Sequence, residues 1–508
     1  MTIKNFFDKR FRLIFLFIIL AEIISFAGYL FPAINAPAFF IIILLALALS
    51  LYRLEYGLAI LLIELFIGSK GYLFYFASNG LTISLRIALW LIIISVWLGQ
   101  TLTSWIKNKR LEVNFCHSSH FSYFVILFLF IFWGIINGWL NHNEPSNLFF
   151  DFNSWLYFAL IFPFFSGFNK PERLKLLGQV FVAATVWLSI KTLFLVFTFS
   201  HNFIIALFGL YPWIRDSGVG EITQVQGGFW RVFFQSHIFV LLGFFLSSMI
   251  MAKLIVEKIW RKYLKFYIFN FIFLILFLTT ILASFSRSFW LGLAAGVLIA
   301  WLIWLALEKI KFKDFVLINS YWLGVALISF ALLIAIVKFP YPAPLGGFAP
   351  VDLLSTRASQ LADEAGVASR WALLPNLWSK IKAAPLLGQG FGATVTYKTN
   401  DPRVLQTNPS GDFTTYAFEW GWLDIWLKLG LFGLLAYLTI IAKIFWQAWQ
   451  PTPLAHTRWL IQGLAIGLAV VAAVSVFSPY TNHPLGIGYL IIASVLIDRF
   501  YIAKTPLA

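Results

Sequence analysis

The stretch that decides the fold runs from Tyr267 to Leu307, YIFNFIFLILFLTTILASFSRSFWLGLAAGVLIAWLIWLAL, and it holds a single charged residue, Arg287. Crossing a hydrocarbon layer of about 30 Å takes roughly 20 helical residues, so this run predicts two spans, near 266–285 and 288–307, with Arg287 at their junction. A lipid-exposed backbone must satisfy its own hydrogen bonds, and an apolar run of this length therefore predicts helix.

The same signal recurs along the chain. Of its 508 residues, 61% are hydrophobic and 11% charged, against roughly a quarter charged in soluble domains. Twelve further runs, near 11–31, 36–52, 55–69, 83–101, 122–140, 150–166, 177–199, 231–252, 316–337, 421–442, 459–478 and 485–500, predict about 12–14 transmembrane helices in an all-α polytopic membrane protein. The third and sixth runs are short or polar for spans. Phe, Tyr and Trp make up 19% of the chain, 22 of them Trp, a content that suits aromatic belts at headgroup level. The first run begins near Phe11 and is followed by many others, so it reads as a span and not as a cleaved leader.

The formal charge of +16 would fit a nucleic-acid partner if the cations shared one soluble face. They do not. More than half of the 37 Lys and Arg residues fall in loops on one side of the predicted spans, at Lys4 to Arg12, Arg53, Lys107 to Arg110, Lys170 to Lys175, Lys253 to Lys265, Lys309 to Lys313, Lys443, Arg458, Arg499 and Lys504. That bias assigns the side as cytoplasmic, with both termini on it, and excludes a nucleic-acid role. Cys116, the one cysteine, falls on the same reducing side and needs no partner.

Four regions follow: N-terminal helices over 1–225, central helices over 226–338, one large extracytoplasmic loop with short helices over 339–420, and C-terminal helices over 421–508. Basic residues outside the cytoplasmic pattern gather in the outer segments. Arg287 begins a span within Ser286-Arg287-Ser288-Phe289-Trp290-Leu291-Gly292. It is either an arginine snorkelling to headgroups or an anion site gripping a phosphate with two parallel donors. Arg231 follows Gly227-Gly228-Phe229-Trp230 at the opening of the eighth span, with His237 two turns further in. Arg231 is an interfacial anchor or a partner of Arg287, and His237 reads first as a packed, satisfied histidine. Arg215, beside Tyr211, Trp213 and Asp216, lies in the other outer segment.

In the large loop, Ser369 reads as the N-cap of a helix through Lys382 that carries Arg370 and Trp371. Pro385-Leu-Leu-Gly-Gln-Gly-Phe-Gly392 follows; its glycines suit a tight turn better than a phosphate cradle, and no Lys-Ser/Thr completes a P-loop. Glu419 and Trp420 sit just outside the next span, where Asp424 and Lys428 are spaced to pair on one face. Glu419 is a solvated helix-start carboxylate or a general base. His142, His201, His237 and His483 are not spaced as ligands, and no DxD-like acidic pair stands in an outer loop, so neither a metal nor another cofactor is expected.

Together these motifs resemble the O-antigen ligase/O-antigen polymerase superfamily of bacterial envelope glycosyltransferases. The resemblance rests on Ser-Arg-x-x-Trp-Leu-Gly at 286–292, Ser-Arg-Trp at 369–371, Pro-Leu-Leu-Gly-x-Gly-Phe-Gly at 385–392 and the Trp-Leu…Gly-x-x-Gly pattern from Trp422 to Gly433. It covers about residues 225–440. It implies a GT-C-like helical fold in the cytoplasmic membrane and transfer of a glycan from undecaprenyl pyrophosphate to a glycan, lipid or other hydroxyl acceptor. It also implies that Arg231 and Arg287, helped by Arg370, hold the pyrophosphate. Ligases carry His-Asn where this chain has Glu419-Trp420, and Glu419 would then be the proton acceptor. Arg215, His237, His483 and Trp420 are possible supporting residues. The competing expectation is a transporter or flippase for a lipid-linked glycan or small anion, whose deep charges would be Glu22, Glu64 and Lys191; a scaffold without activity is a third.

Overall fold

A computed structural model describes residues 6–109, 113–225, 229–344, 365–450 and 457–502. Twelve of its helices are long and apolar enough to cross a membrane. They include α1 (Lys9–Leu30), α2 (Asn35–Tyr52), α4 (Leu85–Asn108), α5 (Phe121–Leu140), α8 (Pro171–Ser200), α10 (His237–Val256), α11 (Leu264–Ser284), α12 (Arg287–Leu302), α13 (Phe312–Val337), α16 (Gly421–Trp449) and α18 (Pro484–Ile502). Two of the fourteen expected spans are shorter, α3 (Leu54–Ile67) and α17 (Arg458–Val474). The expected span near 150–166 is composite: α6 (Pro145–Asn153), a 3₁₀ turn over Ser154–Leu160, then α7 (Ile161–Gly167). The all-α polytopic architecture read from the sequence is the one observed.

Apolar residues surround these helices on all sides, as lipid demands, so periodicity does not separate core from lipid face. Packing does. In α3 nearly every residue is buried, and α10 is buried along most of its length, while α1, α2 and α13 present long exposed apolar faces. The core therefore runs through α3, α8, α10 and α17.

Among the described residues three antiparallel hairpins, which the sequence reading did not anticipate, decorate the helix ends. They are β1–β2 (Tyr75–Ser78, Leu81–Ser84), β3–β4 (Gly220–Gln224, Trp230–Phe234) and β5–β6 (Val395–Lys398, Asp412–Thr415). The last belongs to the large loop, with α14 (Ala365–Ala383) and α15 (Pro402–Thr407). There a second small core of Leu373, Leu377, Ile381, Val395, Phe418 and Trp420 packs down onto Leu427 of α16. Ser369 is not a cap: α14 already begins at Ala365, and the Ser369 hydroxyl meets Tyr397 Oη at 2.8 Å, tying helix to hairpin. Arg357, another of the basic residues of the large loop, lies outside the described residues.

Candidate active site

The turn between α11 and α12 carries the first half of the site. Phe285 ends α11 in the left-handed conformation, φ 45°, and Ser286 starts the chain into α12 at Arg287. Strand β4 lies along this turn. Alternate strand residues share a face, and here Phe229 packs on Phe285 with ring centres 4.7 Å apart, while Phe233 packs on Phe289 at 5.6 Å. Between them, Arg231 Nε donates to the Ser284 carbonyl at 2.8 Å, its guanidinium lying over the Phe233 ring. Arg231 and Arg287 are thus brought to one turn, both half-buried.

This corrects one expectation. Arg231 does not open a span: Trp230–Phe234 is a strand paired with Gly220–Gln224, and the helix starts only at His237. A run of aromatic and β-branched residues prefers a pleated surface; Gly227 and Gly228 lie outside the described residues. His237 is accordingly the first residue of α10, not two turns inside it. Its Nδ1 accepts the Phe234 amide at 3.3 Å, which leaves Nε2 to carry the hydrogen towards Thr192 Oγ1 at 2.8 Å. Both nitrogens are occupied in a fully buried ring, the satisfied histidine first read.

The second half stands where α14 and the start of α16 meet. Glu419 forms an ion pair with Arg370, their side chains 52% and 33% exposed. Trp420 Nε1 donates to the Arg370 carbonyl at 3.0 Å, and its ring sits between Trp371, 5.4 Å away, and Phe477 at 5.1 Å. Trp420 is 9% exposed and Trp371 56%, so Trp371 is the ring with a face open to a ligand. Ser478, the neighbour of Phe477, donates to Ser288 Oγ at 3.2 Å. Two consecutive residues of the α17–α18 connection therefore touch the two halves.

The glycine run has a different task. α16 is broken at Gly430, φ 73°, and residues 385–392 fill the break. Gln389 N–H donates to Leu427 O at 2.7 Å, Gly390 N–H to Lys428 O at 3.0 Å, and Leu431 N–H to Pro385 O at 2.9 Å. Phe391 N–H donates to Gly134 O, and Gly392 N–H to Asp151 Oδ2, each at 2.9 Å. Asn137, Asn141 and Asn143 donate to its carbonyls. With its amides so used, the run is a packed turn and not a phosphate cradle. Beneath it, Lys428 Nζ lies 2.6 Å from both Asp424 and Asp151, Lys428 and Asp424 buried and the Asp151 side chain 8% exposed, and Asn482 donates to the other oxygen of Asp424. The Asp424–Lys428 pairing was expected. Asp151, a lone charge entering an apolar run, was not.

Arg215 is not brought to either half. It pairs with Asp216 at 2.7 Å, largely exposed, with its guanidinium over Tyr211. His483 lies at the end of the α17–α18 connection, where Nδ1 accepts the Leu485 amide at 3.3 Å. Burial, with Arg86 and Lys70 near it, pushes its imidazole down to about 3, so it is neutral. The deep charges are consumed: Lys191 lies 2.6 Å from Glu22, and Arg86 binds Glu64 through Nε and Nη2, each at 2.9 Å. Among the described residues no group of three or more His, Cys, Asp or Glu side chains is gathered to hold a metal ion.

Residues 272–438 match the family model described as O-antigen ligase. That interval contains the α11–α12 turn, the large loop and the break in α16, but not Arg231 or the α17–α18 connection. No curated protein and no solved structure matches the chain.

Proposed function

We infer that this chain, a member of the O-antigen ligase/polymerase superfamily built of many membrane-crossing helices, is a glycan-transferring enzyme that draws on a lipid diphosphate at the outer face of the cytoplasmic membrane. The observation that carries the reading is the meeting of Arg231 and Arg287 on one turn, linked through Phe477 and Ser478 to the Arg370–Glu419 pair. Two guanidiniums at an interface match an undecaprenyl-pyrophosphate head: each presents a planar fork of donors to phosphate oxygens, and their charge opposes the negative charge that grows as the leaving group departs.

Transfer is then a single displacement. An acceptor hydroxyl oxygen forms a bond to the anomeric carbon while the bond from that carbon to the phosphate oxygen breaks, its electron pair leaving with undecaprenyl pyrophosphate. The acceptor proton passes to the Glu419 carboxylate, which Arg370 orients. Attack from the face opposite the leaving group inverts the anomeric centre. Trp371 supplies an apolar ring face for a sugar. No metal takes part in this scheme.

The test is transfer in liposomes holding the purified protein, an undecaprenyl-pyrophosphate glycan and a hydroxyl acceptor. Arg287→Ala and Glu419→Gln are each expected to lose most of the rate; full transfer by both would refute the assignment. Orientation is tested by Cys116, the single cysteine and exposed: in intact cells a permeant maleimide should label it and an impermeant one should not.

A further inference from the structure

The connection between α17 and α18, residues 475–483, lies outside the matched interval, and the sequence reading took only His483 from it. It is held by several independent bonds. Thr481 N–H donates to Ser475 Oγ at 3.1 Å, Tyr437 Oη to Thr481 O at 2.7 Å, and Tyr480 Oη to Gln235 O at 2.8 Å; Asn482 bonds Asp424. With Ser478 N–H donating to Val474 O at 3.0 Å and Ser478 O accepting from Tyr480 N–H at 2.7 Å, the backbone's course is fixed without help from the Ser478 side chain.

Ser478 instead extends a row of hydroxyls. Its Oγ lies 3.2 Å from Ser288 Oγ, which lies 3.1 Å from Ser286 Oγ. In sequence Ser286 and Ser288 flank Arg287, and the turn they occupy is the one Arg231 grips through the Ser284 carbonyl. A hydroxyl both donates and accepts, and its hydrogen rotates to suit its partners. Ser478 donates its one hydrogen to Ser288 here; an oxyanion placed beside the row would draw that hydrogen outward by rotation of the Ser478 hydroxyl, at a helix start whose dipoles already favour negative charge. Arginine supplies charge there; short hydroxyls supply neutral donors at fixed positions.

We propose that Ser478 contacts the diphosphate of the lipid-linked donor, as the outermost member of the Ser286–Ser288–Ser478 row beside Arg231 and Arg287. This rests on the diphosphate reading above and adds to it a binding residue from a third chain segment.

The experiment measures binding of undecaprenyl pyrophosphate, carrying no sugar, to the full chain in nanodiscs, with thermal unfolding recorded for each variant. Losing one such hydrogen bond should weaken binding about five- to tenfold in Ser478→Ala, with an unfolding temperature matching the parent. Ser478→Thr, which keeps the hydroxyl, should bind within about twofold of the parent. Ser288→Ala should weaken binding similarly, and the double variant by less than the product of the two, because both act in one row. If Ser478→Ala binds like the parent while Arg287→Ala binds far more weakly, the inference falls and the diphosphate reading stands. If neither variant weakens binding, both fall. Weakening in Ser478→Ala that comes with a lowered unfolding temperature and is not rescued by Ser478→Thr would assign the residue a structural task and overturn the proposal.

Discussion

Two acid–base clusters stand within ten residues of each other at the start of α16, and they differ in one respect. Arg370 and Glu419 pair at the surface, about a third and half exposed. Lys428, Asp424 and Asp151 pair inside, each almost entirely buried, with further bonds from Asn482 and the Gly392 amide. A buried charge without its partner is very unfavourable, so the inner cluster cannot exchange partners while the fold persists. The outer pair loses little by doing so, since exposed pairs contribute at most about 1 kcal/mol. The inner cluster is architecture. The outer pair can open to another partner.

That contrast breaks most visibly at Lys428. Lys428→Met leaves two carboxylates buried against each other and should destabilise the chain by about 3–5 kcal/mol, read as a large fall in thermal unfolding temperature in detergent; an unchanged temperature would dissolve the distinction. Glu419→Gln should leave that temperature in place and lower the transfer rate about 10²- to 10⁴-fold. Gly390→Ala comes next. An added Cβ would stand 2.0 Å from the Gly138 amide nitrogen at a φ of 79°, and strain of this kind costs about 1–3 kcal/mol, again read by unfolding. Arg215→Ala, at a largely exposed pair remote from both clusters, should change stability by no more than about 0.5 kcal/mol.

Much of this was legible in the residues. Apolar runs alone gave the helices, because a barrel strand alternates apolar with polar residues and a long unbroken apolar run can satisfy its backbone in lipid only as a helix. Arg287 and Glu419 stood out as charges at the edges of apolar runs, Arg370 only through the Ser-Arg-Trp motif of the large loop, and the Asp424–Lys428 spacing announced its own pairing. What escaped notice depends on distance along the chain. Asp151 meets Lys428 across 277 residues and Ser478 meets Ser288 across 190, and no local pattern marks either. The hairpin at Trp230–Phe234 was absorbed into a helix because aromatic and aliphatic residues serve membrane strand and membrane helix equally well, and only its pairing with Gly220–Gln224 separates the two. Arg86 looked unremarkable for a similar reason: its partner Glu64 belongs to a different run.

The break at Gly430 also constrains biogenesis. Residues 385–392 leave the ribosome before the segment that will seat them, yet they bond to Leu427, Lys428 and Leu431 as well as to Gly134 far upstream. Until α16 enters the bilayer, the wedge has only half its lining. The wedge thus locks only once α16 has been made, and a chain truncated ahead of residue 421 would hold the earlier helices but leave residues 385–392 without their bonds to Leu427, Lys428 and Leu431.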